Sequence, residues 1–184
     1  MDSVGSILIE DISAERNQPP FDRVTMDGIA INYSKTKMQC FYPIQSTHFA
    51  GDAPKKLIKK NQCIEVMTGS VLPANTNCVI PIEYVKIENQ TAKIKENYTV
   101  KRWQFIHKEG TDHKKGSVVL QKGHRITPID IALILSCGRK KVTVSDTPKI
   151  RILSTGSELI PTGKKILPHQ IRITNGPSMI TMLK

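Results

Sequence analysis

Short apolar runs broken by turn-forming residues are the feature of this chain that most constrains its fold. Runs rich in β-branched side chains recur along the sequence, and Gly and Pro, eleven of each, are spread between them. Residues 62–67 alternate polar and apolar side chains, which is the pattern of a strand with one buried face. The sequence therefore predicts a mostly-β fold with frequent turns and few long helices.

The part of the chain up to residue 115 predicts a compact antiparallel β-domain. Strand patterns are found at residues 4–9, 38–44, 47–50, 62–67, 78–87 and 91–95. Asn89 and Gln90 form a turn signal before the last of these. Many short strands with turns between them close most easily into a barrel, so we expect a barrel-like sheet here.

The remainder of the chain predicts a different organisation. Thr127, Pro128 and Asp130 are an N-cap, a first-turn proline and an N3 acid, and Gly138 is a stop signal for the same helix. Residues 149–154 are a predicted strand, and Asn175 begins a second helix. A parallel βαβ unit needs a returning strand after its helix, and none follows. We therefore expect an incomplete α/β domain from about residue 149 onward.

Length and charge limit the possible partners. The 184 residues suit one ordinary domain or two small ones, and the net charge of +11 favours anionic partners such as phosphorylated small molecules, nucleic acid or a membrane surface. The chain start lacks a secretory pattern, and the longest apolar segment, residues 129–137, is far too short to span a bilayer. Four dispersed cysteines argue against a zinc site and suit a reducing compartment. We expect a cytoplasmic protein.

Two turns in the β-domain carry residues suited to a polar ligand. Asp27 precedes Gly28, which would allow close approach of a ligand to the backbone. The alternative is a hairpin turn whose acid bonds only its own backbone. Thr68 and Gly69 follow the alternating strand and offer a hydroxyl and N–H groups to an oxyanion, although an ordinary β-turn has the same sequence.

Two further loops carry carboxylates. Asp112 follows a glycine in residues 109–112, where an acid in a plain turn is the alternative. Glu158 closes a run of Ser154, Thr155, Gly156 and Ser157 at the predicted end of a strand. Ligands bind outside the carboxyl ends of strands in open α/β sheets, so this loop is the strongest candidate from residue types alone.

Taken in order, these stretches resemble one family. Residues 19–31 read PPFDRVTMDGIAI and are similar to the PPFDxSxMDGYA signature of the molybdopterin molybdenumtransferase family, the MoeA and gephyrin E-domain type. The family's later motifs follow as AGDAP, CIEVMTG, GTD, GHRIT and STGSEL, at residues 50–54, 63–69, 110–112, 123–127 and 154–159. The resemblance covers only the N-terminal and central part of a family member's sequence.

The resemblance implies a fold in three parts. Residues 19–115 would form an antiparallel β-barrel-like domain, inserted in an elongated linker domain made of residues 1–18 and 116–147. Residues 148–184 would be the truncated start of a three-layer α/β molybdopterin-binding domain.

The resemblance also implies a function. Family members insert molybdenum from molybdate into adenylated molybdopterin, release AMP, require Mg²⁺ and act as cytoplasmic homodimers. The catalytic positions are matched by Asp27, Thr68, Asp112 and Glu158. Asp27 and Asp112 would place the metal or molybdate, Glu158 would contact the metal or the pterin, and Thr68 would bind an oxyanion. The positions implied to bind the molybdopterin substrate are Thr68, Gly69, Ser154, Thr155 and Gly156.

Departures from the family pattern leave alternatives open. Ile173 stands where the family has an acid, and the family's SGG-containing and PGNP-containing motifs and its final β-barrel are absent, so we expect weak or no activity from this chain alone. It would then be a non-catalytic binding or dimerisation fragment. A basic nucleic-acid-binding β-domain is a further alternative, which the scarcity of clustered aromatic residues disfavours, since Trp103 and Phe105 are the only such pair.

Overall fold

The fold is mostly β, as the sequence predicts. The computed structural model describes residues 3–35 and 39–183 and divides into two compact units, Met1–Ser145 and Asp146–Lys184. The strands of the first unit are β1 (Ile12–Ser13), β2 (Arg23–Val24), β3 (Gly28–Ile31), β4 (Phe41–His48), β5 (Cys63–Val66), β6 (Cys78–Pro81), β7 (Val85–Glu88), β8 (Thr91–Ile94), β9 (Ile106–His107) and β10 (Val118–Leu120). Its helix is α1 (Pro128–Ser136).

Six strands form one sheet that curls into a half-barrel, in the order β6-β3-β5-β4-β8-β7. The pairing of β4 with β5 is parallel, so the expectation of a purely antiparallel domain is wrong at this point. A parallel pair needs a long crossover connection, and residues 49–62 supply it. Within the described residues the edge strands β6 and β7 do not pair with each other, so the barrel-like sheet that the sequence predicts is a half-barrel with an open edge.

Individual strand predictions are confirmed at some places and shifted at others. β5 and β8 lie where predicted, and Asn89 and Gln90, with φ of 45° and 57°, form the turn between β7 and β8. The patterns at 38–44 and 47–50 belong to the single strand β4; the start of the first pattern lies outside the described residues. The pattern at 78–87 is interrupted after Pro81 by a 3-10 turn, Ile82–Tyr84.

The sheet separates two apolar clusters because successive side chains of a strand point to opposite faces. One face buries Ile29, Ile31, Tyr42, Cys63, Cys78 and Ile80, and the other buries Val24, Ala30, Leu57, Ile64, Val66 and Val79. Gly28, at the start of β3, lies so close to β6 that an added Cβ would be 1.9 Å from the carbonyl oxygen of Ile80.

A third cluster joins the start of the chain to α1. Leu8 and Ile12 pack with Leu120, Ile126 and Ile134. The strand predicted at 4–9 is wrong, because only isolated bridges form there, from Ile7 to Arg125 and from Leu8 to Val144. Ile7 and Leu8 each pair with a different segment, so neither pairing continues into a ladder of hydrogen bonds.

The helix α1 has the start that the sequence predicts. Thr127 and Asp130 form a reciprocal capping box, and Pro128 occupies the first turn. The helix ends at Ser136, and Gly138 follows with φ of 74°. Both predicted ends of the helix are therefore confirmed. The sequence alone predicts them well because capping depends on residues that are close together in the chain.

The second unit contains β11 (Leu159–Ile160), β12 (Ile171–Arg172) and α2 (Asn175–Met182). β11 and β12 pair in parallel, and α2 begins at Asn175 as predicted. The strand predicted at 149–154 is wrong: these residues are irregular, because no neighbouring strand of this unit pairs with them among the described residues. None of the helices in the described ranges has the length and apolar content needed to cross a bilayer.

Candidate functional site

The carboxylate of Asp27 is held by Thr68. Oδ1 of Asp27 accepts a hydrogen bond from the backbone N–H of Thr68 and another from its hydroxyl, each 2.7 Å long. The hairpin interpretation of this stretch is wrong, because β2 pairs with β9 while β3 pairs with β5 and β6. Gly28 allows close approach, but to the backbone of Ile80 on β6.

Thr68 lies in a tight turn that is itself anchored to β2. The N–H of Ser70 donates to the carbonyl of Met67 across the turn (3.1 Å), and Gly69 has φ of 88°, a conformation that favours glycine. Gly69 N–H donates to the carbonyl of Val24 (2.9 Å), and Val24 N–H donates to that of Ser70 (3.0 Å). The N–H groups of residues 68–70 are thus all used within the protein, and an oxyanion at this turn would have to displace Asp27 or one of these bonds.

Asp27 is exposed and ionised. The two hydrogen bonds from Thr68, first that of its N–H and then that of its hydroxyl, hold the pKa of the Asp27 carboxyl below its usual value. Among the described residues Oδ2 receives no hydrogen bond. The site therefore presents a fixed carboxylate with one oxygen free for a ligand.

Asp112 is held by a different set of contacts. Its Oδ1 lies 2.9 Å from Nε2 of His107, and Nδ1 of His107 lies 3.2 Å from Nη2 of Arg23. The backbone N–H of Asp112 donates to the carbonyl of Gln18 (2.8 Å), which fixes the loop. As with Asp27, one carboxylate oxygen has a protein partner and the other has none among the described residues.

Both carboxylates depend on β2. The turn that contains Thr68 forms hydrogen bonds with the backbone of Val24. The side chain of Arg23 contacts His107, which in turn contacts Asp112. The structure therefore pairs Asp27 with Thr68 directly, while Asp112 contacts His107.

The remaining predicted residues lie in the second unit. The carboxylate of Glu158 folds over Gly156, where an added Cβ would lie 2.5 Å from either carboxylate oxygen. Oγ of Ser154 would lie 2.8 Å from a Cβ on Gly176, near the start of α2. Thr155 is exposed. The run 154–158 precedes β11, whereas the prediction put it after a strand.

The donor set suits a hard cation that keeps most of its water. In the described ranges no three His, Cys, Asp or Glu side chains are grouped so as to enclose a metal. Mg²⁺ is commonly held by one or two carboxylates together with substrate phosphates, and Asp27 and Asp112 each have an open oxygen for such a contact.

Arg23 and His107 support the candidate site residue Asp112, and the sequence reasoning did not find them. His107 is five residues before Asp112, and this short spacing was an available signal. Arg23 gave no such signal, because it meets His107 only through the register of β2 with β9.

The fold and these contacts define a class: a β-rich protein that holds exposed carboxylates on turns by hydrogen bonds. A family model for the MoeA N-terminal region (domain I and II) matches residues 1–138. The chain therefore belongs to the MoeA, or molybdopterin molybdenumtransferase, family.

Individual relatives agree with this membership. The chain is 36% identical to a molybdopterin molybdenumtransferase of Synechocystis over 94% of its own length and 45% of the relative, and 33% identical to that of Haemophilus influenzae over 95% and 43%. A crystal structure of a molybdopterin biosynthesis MoeA protein from Pyrococcus horikoshii superposes with a TM-score of 0.84 at 34% identity, covering 99% of this chain and 49% of that one. The chain spans a little under half the length of these relatives.

Proposed function

We propose that this chain acts in molybdenum cofactor biosynthesis, in the insertion of molybdate into adenylated molybdopterin with release of AMP. Family membership supports this role, and the observation that carries it is the carboxylate of Asp27, located in the family's signature stretch and fixed by two hydrogen bonds from Thr68. The chain spans under half of its relatives, so the reaction of the whole protein is part of the proposal.

The roles proposed for the residues follow from their contacts. Asp27 and Asp112 would each offer one oxygen to Mg²⁺. In the second unit, taken by itself, Glu158 would offer an exposed carboxylate to a metal or to the pterin. Bound Mg²⁺ would supply charge neutralisation at the phosphoanhydride. Thr68 would orient Asp27. Its N–H or hydroxyl could donate to an oxyanion only after breaking its hydrogen bond to Asp27.

The substrate-binding roles proposed for the glycine-containing turns are less constrained by contacts. Gly69 keeps the Thr68 turn in its required shape, and Gly156 leaves room for the carboxylate of Glu158. Ser154 and Thr155 would offer hydroxyl groups to molybdopterin. The net charge of +11 would attract a substrate that carries phosphates and an oxyanion.

We also propose that the protein is located in the cytoplasm and acts as a homodimer. We propose that it divides into a β-domain of residues 19–115, a linker domain of residues 1–18 and 116–147, and an α/β segment from residue 148. The separate apolar cluster formed by Leu8, Ile12, Leu120, Ile126 and Ile134 supports this division.

A second candidate is a binding or dimerisation fragment without turnover. The observation that favours it is the coverage of 43–49% of the relatives' lengths. The two candidates are separated by measuring molybdate-dependent release of AMP from adenylated molybdopterin by the 184-residue chain. Release that D27N abolishes supports the enzyme; binding of the adenylated substrate without release supports the fragment.

A further inference from the structure

We propose that Arg23 and His107 form a positioning pair for Asp112, in which the contact of Arg23 with Nδ1 keeps the ring proton of His107 on Nε2, from which it is donated to the carboxylate. The inference deepens the proposed function, on which it rests for the role given to Asp112. The contacts themselves do not depend on it.

The backbone sets up the pair. In the antiparallel pairing of β2 with β9, Arg23 is directly opposite His107, and directly opposed residues have their side chains on the same face. The loop that follows β9 is tied back by hydrogen bonds from Asp112 N–H and His113 N–H to the carbonyl of Gln18, 2.8 and 3.1 Å long. Both ends of the Arg23-His107-Asp112 chain are therefore fixed by main-chain contacts.

The tautomer follows from the donors and acceptors available. A guanidinium has only donors, so Nδ1 of His107, 3.2 Å from Nη2 of Arg23, must accept. A nitrogen that accepts carries no proton, and the ring proton is then on Nε2, which lies 2.9 Å from Oδ1 of Asp112. A protonated His107 would turn a donor toward the guanidinium and place two positive charges together.

The consequence for Asp112 is a defined orientation. His107 occupies Oδ1, and Oδ2 has no hydrogen-bond partner among the described residues, while the side chain is 52% exposed. Asp27 shows the same arrangement, with Oδ1 occupied by Thr68 and Oδ2 open. Each acid thus has one oxygen fixed by the protein and one left for a ligand.

The tautomer is measured directly by long-range ¹H–¹⁵N NMR of the imidazole rings in the full chain at neutral pH. The signals of His107 are assigned as those that disappear in H107Q. We expect Nδ1 without a proton and Nε2 with one. In R23M, Nδ1 protonation should become detectable, whereas R23K, which retains a cationic donor, should keep most of the wild-type pattern. A merely structural contact would not fix the tautomer.

A second measurement follows Asp112 by the ¹³C shift of its carboxylate. Glutamine can accept from Arg23 and donate to Asp112, so H107Q should retain the wild-type shift, and H107L should lose it. The proposal is overturned if the wild type carries the ring proton of His107 on Nδ1 with Nε2 unprotonated, or if R23M folds and leaves the tautomer unchanged. Neither measurement involves turnover, so failure of the proposed activity would be distinguished from failure of this inference.

Discussion

Asp27 and Thr68 are 41 residues apart in the chain, yet one carboxylate oxygen of Asp27 accepts both hydrogen-bond donors of Thr68. T68V removes the hydroxyl and keeps the N–H and the β-branched shape. We expect the pKa of Asp27, which is lowered in the wild type chiefly by the N–H bond, to rise part of the way to its usual value. A ¹³C titration of the Asp27 carboxyl measures this, and T68S is the matched control that retains the hydroxyl. An unchanged pKa in T68V would contradict the role of the side chain.

Gly28 should be the glycine of the sheet that tolerates no side chain. In G28A the new Cβ would lie 1.9 Å from the carbonyl oxygen of Ile80, so β3 and β6 would have to separate. We expect a loss of about 3 kcal/mol in the free energy of unfolding, or failure to fold. Urea denaturation provides the measurement.

The matched control for G28A is G123A. Gly123 has φ of 89° and open space around its Cβ position, so its substitution isolates backbone strain of about 1 kcal/mol. If G28A proved no more destabilising than G123A, the close approach of β3 and β6 described here would be wrong.

Asp130 should make the stability of the first unit sensitive to acid. Hydrogen bonds from the side chain of Thr127, then from His124 and from the Thr127 N–H, lower the pKa of the Asp130 carboxyl to about 2. An unfolded Asp has a pKa of about 3.9, so the ionised group contributes about 2 kcal/mol above that pH, and the contribution is lost as the pH falls toward 2.

The variant D130N tests this dependence. It should be less stable than the wild type at pH 7, by about 1 to 2 kcal/mol, and the difference should shrink between pH 4 and pH 2. Urea denaturation across this range, with the exposed-acid variant D146N as control, gives the comparison. A difference that does not change with pH would show that the charge of Asp130 has no part in the stability.

Cys40 should be the one cysteine that reacts in the native protein. Cys63 and Cys78 are fully buried, and burial raises the pKa of each thiol to about 12, while Cys137 is 2% exposed. Because the thiolate is the nucleophile, iodoacetamide at pH 8 should add once in native buffer and four times in urea. Mass spectrometry counts the adducts, and native modification of Cys63 or Cys78 would contradict the packing of the sheet.

Local signals made part of this fold predictable. The capping box of α1 and the Asn89-Gln90 turn depend on residues within a few positions of one another, and both are where the sequence predicts them. Residues 149–154 have an equally clear strand pattern, but a strand also needs a partner, and in this unit none pairs with them among the described residues. The parallel pairing of β4 with β5 was missed for the same reason, because pairing partners are set by tertiary structure.

The candidate site was predictable only as a set of residues. Motif resemblance selects Asp27 and Thr68, but their mutual contact and the use of the Thr68 donors follow from how the 67–70 turn meets β2. Arg23 could not be found from its neighbours, since its partner His107 is 84 positions away. The division into domains and the functional roles of Asp27, Thr68, Asp112 and Glu158 remain predictions.

The central claim is that the carboxylate of Asp27 forms part of a site for adenylated molybdopterin. The most direct test is a binding titration of this substrate, with Mg²⁺ present and molybdate left out so that no turnover occurs, followed at the backbone amides of the wild type and D27N. Asn can still accept from Thr68 through Oδ1, so D27N keeps this contact while it removes the charge and replaces the open oxygen by an NH2 group. E88Q controls for the loss of an exposed acid at the end of β7.

We predict that the NMR signal of the Thr68 amide shifts on binding in the wild type and in E88Q. D27N should weaken binding by at least about tenfold, which corresponds to roughly 1.4 kcal/mol. Binding of equal strength by D27N, with no shift at Thr68, would contradict the account.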